Sequence, residues 1–236
     1  MRRAALIRQR TWKPQKRWSS GSAIPIRISF PMPDIVILRH GNTFDPGDVI
    51  RRIGAGTDLP LSVSGRAQAA SVSAALKTDG WRFTRIFAAP LKRTMETASA
   101  VRDACAPDVS IEPLAALKEV HYGPDEGRPE SDVVERLGDR ALAAWERAGD
   151  VPAGWRIDAG QIISTWRAFF ADCATESGPI LAVTSNGVAR YACDGADDAP
   201  AWAARKLNTA AYGIVKVGTG GENSIVAWNV RPPKLA

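Results

Sequence analysis

Arg39-His40-Gly41 follows directly on an unbroken apolar run, Ile35-Val36-Ile37-Leu38, and Arg93 stands just past a second run, Ile86-Phe87-Ala88-Ala89. A neutral imidazole is a competent nucleophile towards phosphorus, and a phosphohistidine divides one difficult displacement into two easier ones. The phosphoryl group in flight spreads negative charge over three equatorial oxygens, which planar guanidinium forks meet with paired, charge-assisted hydrogen bonds. His40 therefore suits a nucleophile, and Arg39 with Arg93 suits an anion clamp. A leaving alkoxide also needs a proton, which a carboxylic acid supplies where burial or neighbouring charge raises its pKa. The polar segment Leu117 to Gly127 offers Glu119, Asp125 and Glu126 for that.

The elements that must position these groups read as follows. Four consecutive aliphatic residues before Arg39 predict a strand buried on both faces, of the kind found in parallel sheets covered by helices. Ligands of such sheets sit at the carboxyl ends of the strands, where Arg39 and His40 fall. Residues 42–60, rich in glycine, proline and aspartate, read as a long loop with a functional purpose. Ser64 is placed to cap a helix ending near Gly80. Residues 85–89 read as a second strand, with Pro90 in the first turn of a helix to about Cys105. A third strand is expected over 109–113, helices over 131–148 and 158–175, and a strand over 179–184 leading through Ser185-Asn186-Gly187 into a helix through Arg190. Strands over 211–217 and 224–230 are joined by a glycine-rich hairpin, 218–221. The alternation predicts an α/β fold with three layers, α/β/α, and a mostly parallel central sheet.

The chain has 236 residues, 45% of them apolar and 24% charged, enough for one sizeable domain, and no apolar stretch approaches a membrane span. Its formal charge of +6 invites a nucleic-acid reading, but residues 1–31 hold eight basic residues and no acid. The remainder carries 23 basic against 25 acidic residues, a net of −2 that steers no polyanion. Residues 1–31 read as a disordered basic leader, either transit-like or an artefact of gene-start assignment, ahead of a domain over 32–236. Cys105, Cys173 and Cys193 lack CxxC spacing and read as buried hydrophobes in a reducing, cytoplasmic setting. Arg51 and Arg52 read as a solvated face, and the tryptophans at 81, 155, 166, 202 and 228 as core or cap residues.

Several separated motifs agree on a resemblance. Arg39-His40-Gly41-Asn42-Thr43, the block Gly56-Thr57-Asp58-Leu59-Pro60-Leu61-Ser62 with Gly65-Arg66 and Gln68-Ala69, the block Ala89-Pro90-Leu91-Lys92-Arg93 with Glu96-Thr97-Ala98, and Leu117-Lys118-Glu119 with Tyr122-Gly123 and Glu126-Gly127 resemble, in order, the signatures of the histidine phosphatase superfamily, the phosphoglycerate mutase-like family. Leu207-Asn208-Thr209 is similar to the turn before its last strands. The resemblance implies a phosphoglycerate mutase-like fold and a metal-independent phosphatase without a cofactor. It implies a small phosphomonoester as substrate, His40 as nucleophile and Glu119 as acid and then base. Arg39, Arg93, Asn42, Ser185 and Asn186 are implied to bind phosphate. The expected partner is a small-molecule phosphate ester, with no nucleic acid and no membrane; a homodimer is compatible with the sequence.

One departure stands out. Val183-Thr184-Ser185-Asn186-Gly187-Val188-Ala189-Arg190 matches a pattern in which the family carries a second histidine, and Ser185 stands in its place. Three consequences are open: Ser185 and Asn186 take over the anion contacts, His121 reaches into the site, or the protein binds a phospho-ligand with little turnover. A second departure puts Pro46 where mutase-type relatives often carry asparagine, which leaves a phosphoglycerate mutase-type phosphotransferase as the alternative within enzymes.

Overall fold

The computed structural model describes residues 33–200, 205–218 and 221–232. The leader, Trp202 and the central residues of the 218–221 hairpin lie outside them. Six strands, β1 (Asp34–Arg39), β2 (Arg85–Ala88), β3 (Ile111–Pro113), β4 (Ile180–Thr184), β5 (Tyr212–Val217) and β6 (Asn223–Val230), form one sheet in the order β3-β2-β4-β1-β5-β6. The pairings β1–β4, β2–β4 and β2–β3 are parallel and those of β5 antiparallel. The mostly parallel expectation holds.

Both faces of the sheet are covered, as the uninterrupted apolar strands require. Ile35 and Ile37 of β1 point into one cluster with Trp145, Trp166 and Phe170, from α3 (Glu130–Ala148) and α4 (Ala159–Cys173). Val36 and Leu38 point into the other with Val72, Leu76, Ala98 and Val101, from α1 (Val63–Thr78) and α2 (Lys92–Cys105). Two short helices, α5 (Asn186–Ala189) and α6 (Ala192–Gly195), follow β4. Trp81, Trp155, Trp166 and Trp228 are buried, and the three cysteines are free and buried.

Several boundaries differ from expectation for local reasons. The cap of α1 is Ser62, not Ser64: the Ser62 hydroxyl accepts from Gly65 N at 3.1 Å, while the Asp45 carboxylate accepts from the backbone N–H groups of Val63 and Ser64 at 3.0 and 2.9 Å. Hydrogen bonds to Ser64, from its side chain and its backbone, hold the Asp45 carboxyl down to about 2. Pro90 stays outside α2, because Leu91 is extended and Asp58 Oδ1 satisfies the first free N–H, that of Lys92, at 2.6 Å. In α3 the backbone breaks at Gly138, φ 75° and ψ 154°, a conformation open to a residue without a β-carbon. The helix expected through Arg190 ends at Ala189, and β3 starts two residues later than expected, at Ile111. No helix among the described residues is long and apolar enough to cross a membrane.

Candidate active site

The end of β1 is locked to its neighbours before the side chains are considered. His40 N donates to Thr184 O at the end of β4, and Arg39 N to Ala211 O ahead of β5, each at 3.1 Å. Gly41 N donates to Thr97 Oγ1 of α2 at 3.2 Å. A β-carbon on Gly41 would overlap Gly65 O, and one on Gly65 would overlap Asn42 O. The glycines let the loop after the strand lie directly on the first turn of α1, and that contact fixes His40.

The His40 ring is 5% exposed and its Nδ1 lies 2.7 Å from Gly41 O. A carbonyl only accepts, so Nδ1 carries the proton and Nε2 of the neutral ring holds the lone pair. Burial, then the charges of Arg93 and Arg39, hold the imidazole well below its usual pKa, against the opposing pull of Gly41 O. Such a ring is held neutral, with a free lone pair on Nε2.

Both arginines are enclosed, and burial lowers their pKa, with Glu119 opposing the shift. Arg39 Nη1 donates to Leu207 O at 2.8 Å, and its Nε has no partner. Arg93 is 0% exposed; Nη1 donates to Thr57 O at 2.8 Å and Nη2 to Gly54 O at 3.1 Å, leaving Nε without a partner. Arg93 thus holds the 54–57 loop while its charge acts on His40, and it does not line the cavity.

The three acids sort by what they face. Glu119, 7% exposed, accepts from Val120 N at 2.9 Å on Oε1 and from Gly187 N at 3.3 Å on Oε2. Burial raises its pKa against those bonds and against Arg93 and Arg39. Glu126 instead ties the long loop together: Oε1 accepts from Gly54 N, Gly56 N and Thr57 Oγ1, and Oε2 from Tyr122 N. Asp125 is buried against Arg136 and Trp155 Nε1. Glu126 and Asp125 are engaged by these partners, and of the three acids Glu119 is the one that lines the cavity.

A cavity of about 370 Å³ opens on these groups. Arg39, His40, Asn42, Glu119 and Asn186 line its floor. Ser185 does not: it is 0% exposed and its hydroxyl has no partner among the described residues. Asn186 uses Oδ1 to accept from Leu207 N at 2.9 Å. His121 also stays out of the lining; its Nδ1 accepts from Gly123 N at 2.9 Å and its backbone pairs with Arg156. Arg51 is exposed, as a solvated face requires, while Arg52 is half-buried; both line the cavity. Arg52 pairs with Glu130, and its guanidinium lies over the rings of Tyr122 and Trp155. Tyr122, which belongs to one of the motifs, also lines the walls with Trp145, Glu146 and Lys206, which no motif flagged. Trp145 and Glu146 sit in the last turns of α3, which the break at Gly138 directs; the polar helix pattern alone does not place them at a site.

A model of the histidine phosphatase superfamily (branch 1) matches residues 35–231. 2,3-Bisphosphoglycerate-dependent phosphoglycerate mutases of Porphyromonas gingivalis and Bacteroides fragilis are 32% identical over 122 residues and 31% identical over 121. Each alignment takes in 51% of this chain and 48% of the relative, so the chain spans about half the length of the curated relatives it matches. Mycobacterial glucosyl-3-phosphoglycerate phosphatase superposes with a TM-score of 0.65 at 20% identity, covering 84% of this chain and 99% of that one. Phosphoglycerate mutase of Bacillus anthracis gives 0.67 at 16% identity over 84% and 93%. Phosphoserine phosphatase of Entamoeba histolytica, in complex with 3-phosphoglyceric acid, gives 0.64 at 20% over 84% and 98%. At these identities the structural likeness speaks for the fold.

Proposed function

The chain belongs to the histidine phosphatase superfamily, and on that premise we propose that it is a phosphomonoesterase working through a phosphohistidine on His40. The observation that carries the reading is the His40 ring itself. Its Nδ1–H is committed to Gly41 O and two enclosed guanidinium groups disfavour its protonation, so Nε2 keeps a lone pair. Nε2 attacks phosphorus as the ester P–O bond breaks, and protonated Glu119 gives its proton to the leaving alkoxide, releasing the alcohol. Arg39 hydrogen-bonds the phosphoryl oxygens, Arg93 adds charge from behind, and Asn42 and Asn186 bound the floor. Water then attacks the phosphohistidine, Glu119 accepts a proton from it, and neutral His40 is regenerated with inorganic phosphate. The bond to Gly41 O spreads the positive charge of the phosphorylated ring.

The test sets the full chain beside His40→Ala on p-nitrophenyl phosphate and a panel of metabolite phosphates. Acid-labile phosphate trapped on the wild type and missing from the variant supports the mechanism; equal background for both proteins across the panel leaves only a phospho-ligand binder. The mutase relatives favour a second reading, in which phosphate moves between positions of phosphoglycerate without appearing in solution. Its distinguishing product is the positional isomer at constant inorganic phosphate.

A further inference from the structure

The floor of the cavity accounts for a phosphoryl group, and a volume of about 370 Å³ leaves most of the space to the organic part of the ester. Of the charges that face this outer space, all but Arg51 have an oppositely charged neighbour. Arg52 is matched by Glu130 and covered by two aromatic rings. Glu146 Oε2 lies enclosed between Lys206 Nζ at 3.6 Å and Arg190 Nη2 at 3.9 Å, beyond hydrogen-bond reach of either. The rest of the Glu146 side chain, 41% exposed, opens on the cavity. Arg51 has no carboxylate partner among the described residues; its Nη1 donates to Gly127 O.

This arrangement discriminates among organic groups. A second phosphate or a carboxylate would gain Arg51 and meet the carboxylates of Glu130 and Glu146. An ammonium would approach Glu146 alongside two cations that already flank it. A neutral hydroxyl fits both kinds of wall, because it donates to a carboxylate and accepts from a guanidinium. Phe44, Ile50 and Ile53 supply the apolar surface that the C–H faces of a polyol need, while the buried Trp145 backs the Glu146 wall. Arg190 keeps this wall in place: fully buried, it donates to Trp145 O at 2.6 Å and to Glu146 O at 3.4 Å, and its guanidinium lies 4.0 Å from the Trp145 ring centre.

We infer that the outer cavity selects a neutral, polyhydroxylated leaving group, so that the substrate class is a sugar or polyol monophosphate, with Glu146 as a specificity-determining acceptor. This rests on the reading of the cavity as a phosphomonoesterase site. The test reads binding apart from turnover: calorimetry on full-length His40→Ala with glucose 6-phosphate, ribose 5-phosphate, methyl phosphate, phosphoserine, 3-phosphoglycerate and 2,3-bisphosphoglycerate. The sugar phosphates are expected to bind at least about tenfold tighter than methyl phosphate, a gain on the scale of one hydrogen bond to a charged group. The acidic and zwitterionic esters gain nothing over methyl phosphate, and adding Glu146→Ala cuts the sugar advantage about tenfold. Equal affinity for methyl and sugar phosphates, or tightest binding of the bisphosphate or phosphoserine, overturns the inference. Should His40→Ala not fold, the same ranking is read on the wild type from the rise in Tm at fixed ligand concentration. A wild type that hydrolyses none of these esters while keeping the ranking defeats the enzyme reading and leaves the ligand class standing.

Discussion

Gly187→Ala tests the placement of Glu119 without touching its chemistry. The backbone of α5 at this position suits alanine, which gains up to about 1 kcal/mol over glycine in a helix. The new β-carbon, however, would overlap Glu119 Oε1 and lie 2.7 Å from Val120 Cγ2 and 3.1 Å from Glu119 Cδ. Restoring ordinary contact moves the carboxyl by about 1 Å, a misplacement on the scale that costs about 10²-fold in rate. Overpacking costs about 1–3 kcal/mol, so net of the helical gain Tm falls by no more than about 8 °C at 2–4 °C per kcal/mol. The assay compares leaving groups: kcat/KM on an alkyl phosphate, whose alkoxide needs a proton, against p-nitrophenyl phosphate, whose phenolate leaves unaided. The alkyl ester should lose about 10²-fold and the aryl ester less than about tenfold, with Glu119→Gln showing the same contrast more strongly. Equal losses on both esters in a folded protein would refute the assignment of Glu119 as the acid.

Further outcomes follow from the same geometry. Because burial raises Glu119 and the acid form is the active one, kcat on an alkyl phosphate should fall as pH rises through its pKa, and a pH–rate series on Glu119→Gln should lose that limb. Because His40 is held neutral when folded and takes a proton near its ordinary 6.5 when unfolded, stability should drop below that pH, by about 1.4 kcal/mol per unit. His40→Asn should flatten that slope in denaturant melts run between pH 7.5 and 5. Glu126→Ala removes the acceptor of four hydrogen bonds that brace the 54–57 loop, whose Gly54 and Thr57 carbonyls hold Arg93. It should cost about 2–4 kcal/mol, read in the same melts, and lower kcat as well.

Some of this was legible before any coordinates. Aliphatic runs ending in Arg39-His40 and Thr184-Ser185 have one economical home, the middle of a covered parallel sheet, and β1 and β4 are neighbours there. Residue type alone does not tell Glu119 from Glu126; only the family resemblance singles out Glu119. They are chemically identical and seven residues apart, and one faces the cavity while the other faces three backbone N–H groups and a hydroxyl. Ser62 and Ser64 are equally good caps on paper; in the fold Ser62 takes Gly65 N, and Asp45, eighteen and nineteen residues away in sequence, takes the N–H groups of Val63 and Ser64. Arg51 and Arg52 look like any exposed basic pair until Glu130, brought back by the start of α3, closes on Arg52. Long-range partners, rather than residue types, carried what was missed.

The serine at position 185 matters through charge more than through contact. In the proposed mechanism Glu119 enters as the acid, so Arg39 in the floor and Arg93 behind it set a charge of +2 against a phosphomonoester dianion without a third cation. The family's second imidazole, if protonated, would push His40 further down and leave an excess of positive charge on the free site. On the proposed mechanism its replacement keeps the resting pocket in balance and would forgo a stabiliser of the transition state, a loss of about 10²–10³ in rate where such donors have been removed. Ser185 is in no position to restore it, being fully buried and absent from the cavity lining. The remaining stabilisation falls on Arg39, on the charge of Arg93 and on the proton of Glu119. Hence, in that mechanism, the contacts that hold these three, the Gly187 N–H, the Leu207 carbonyl and the Glu126 carboxylate that braces the loop under Arg93, would bear more of the rate than they would beside a second histidine.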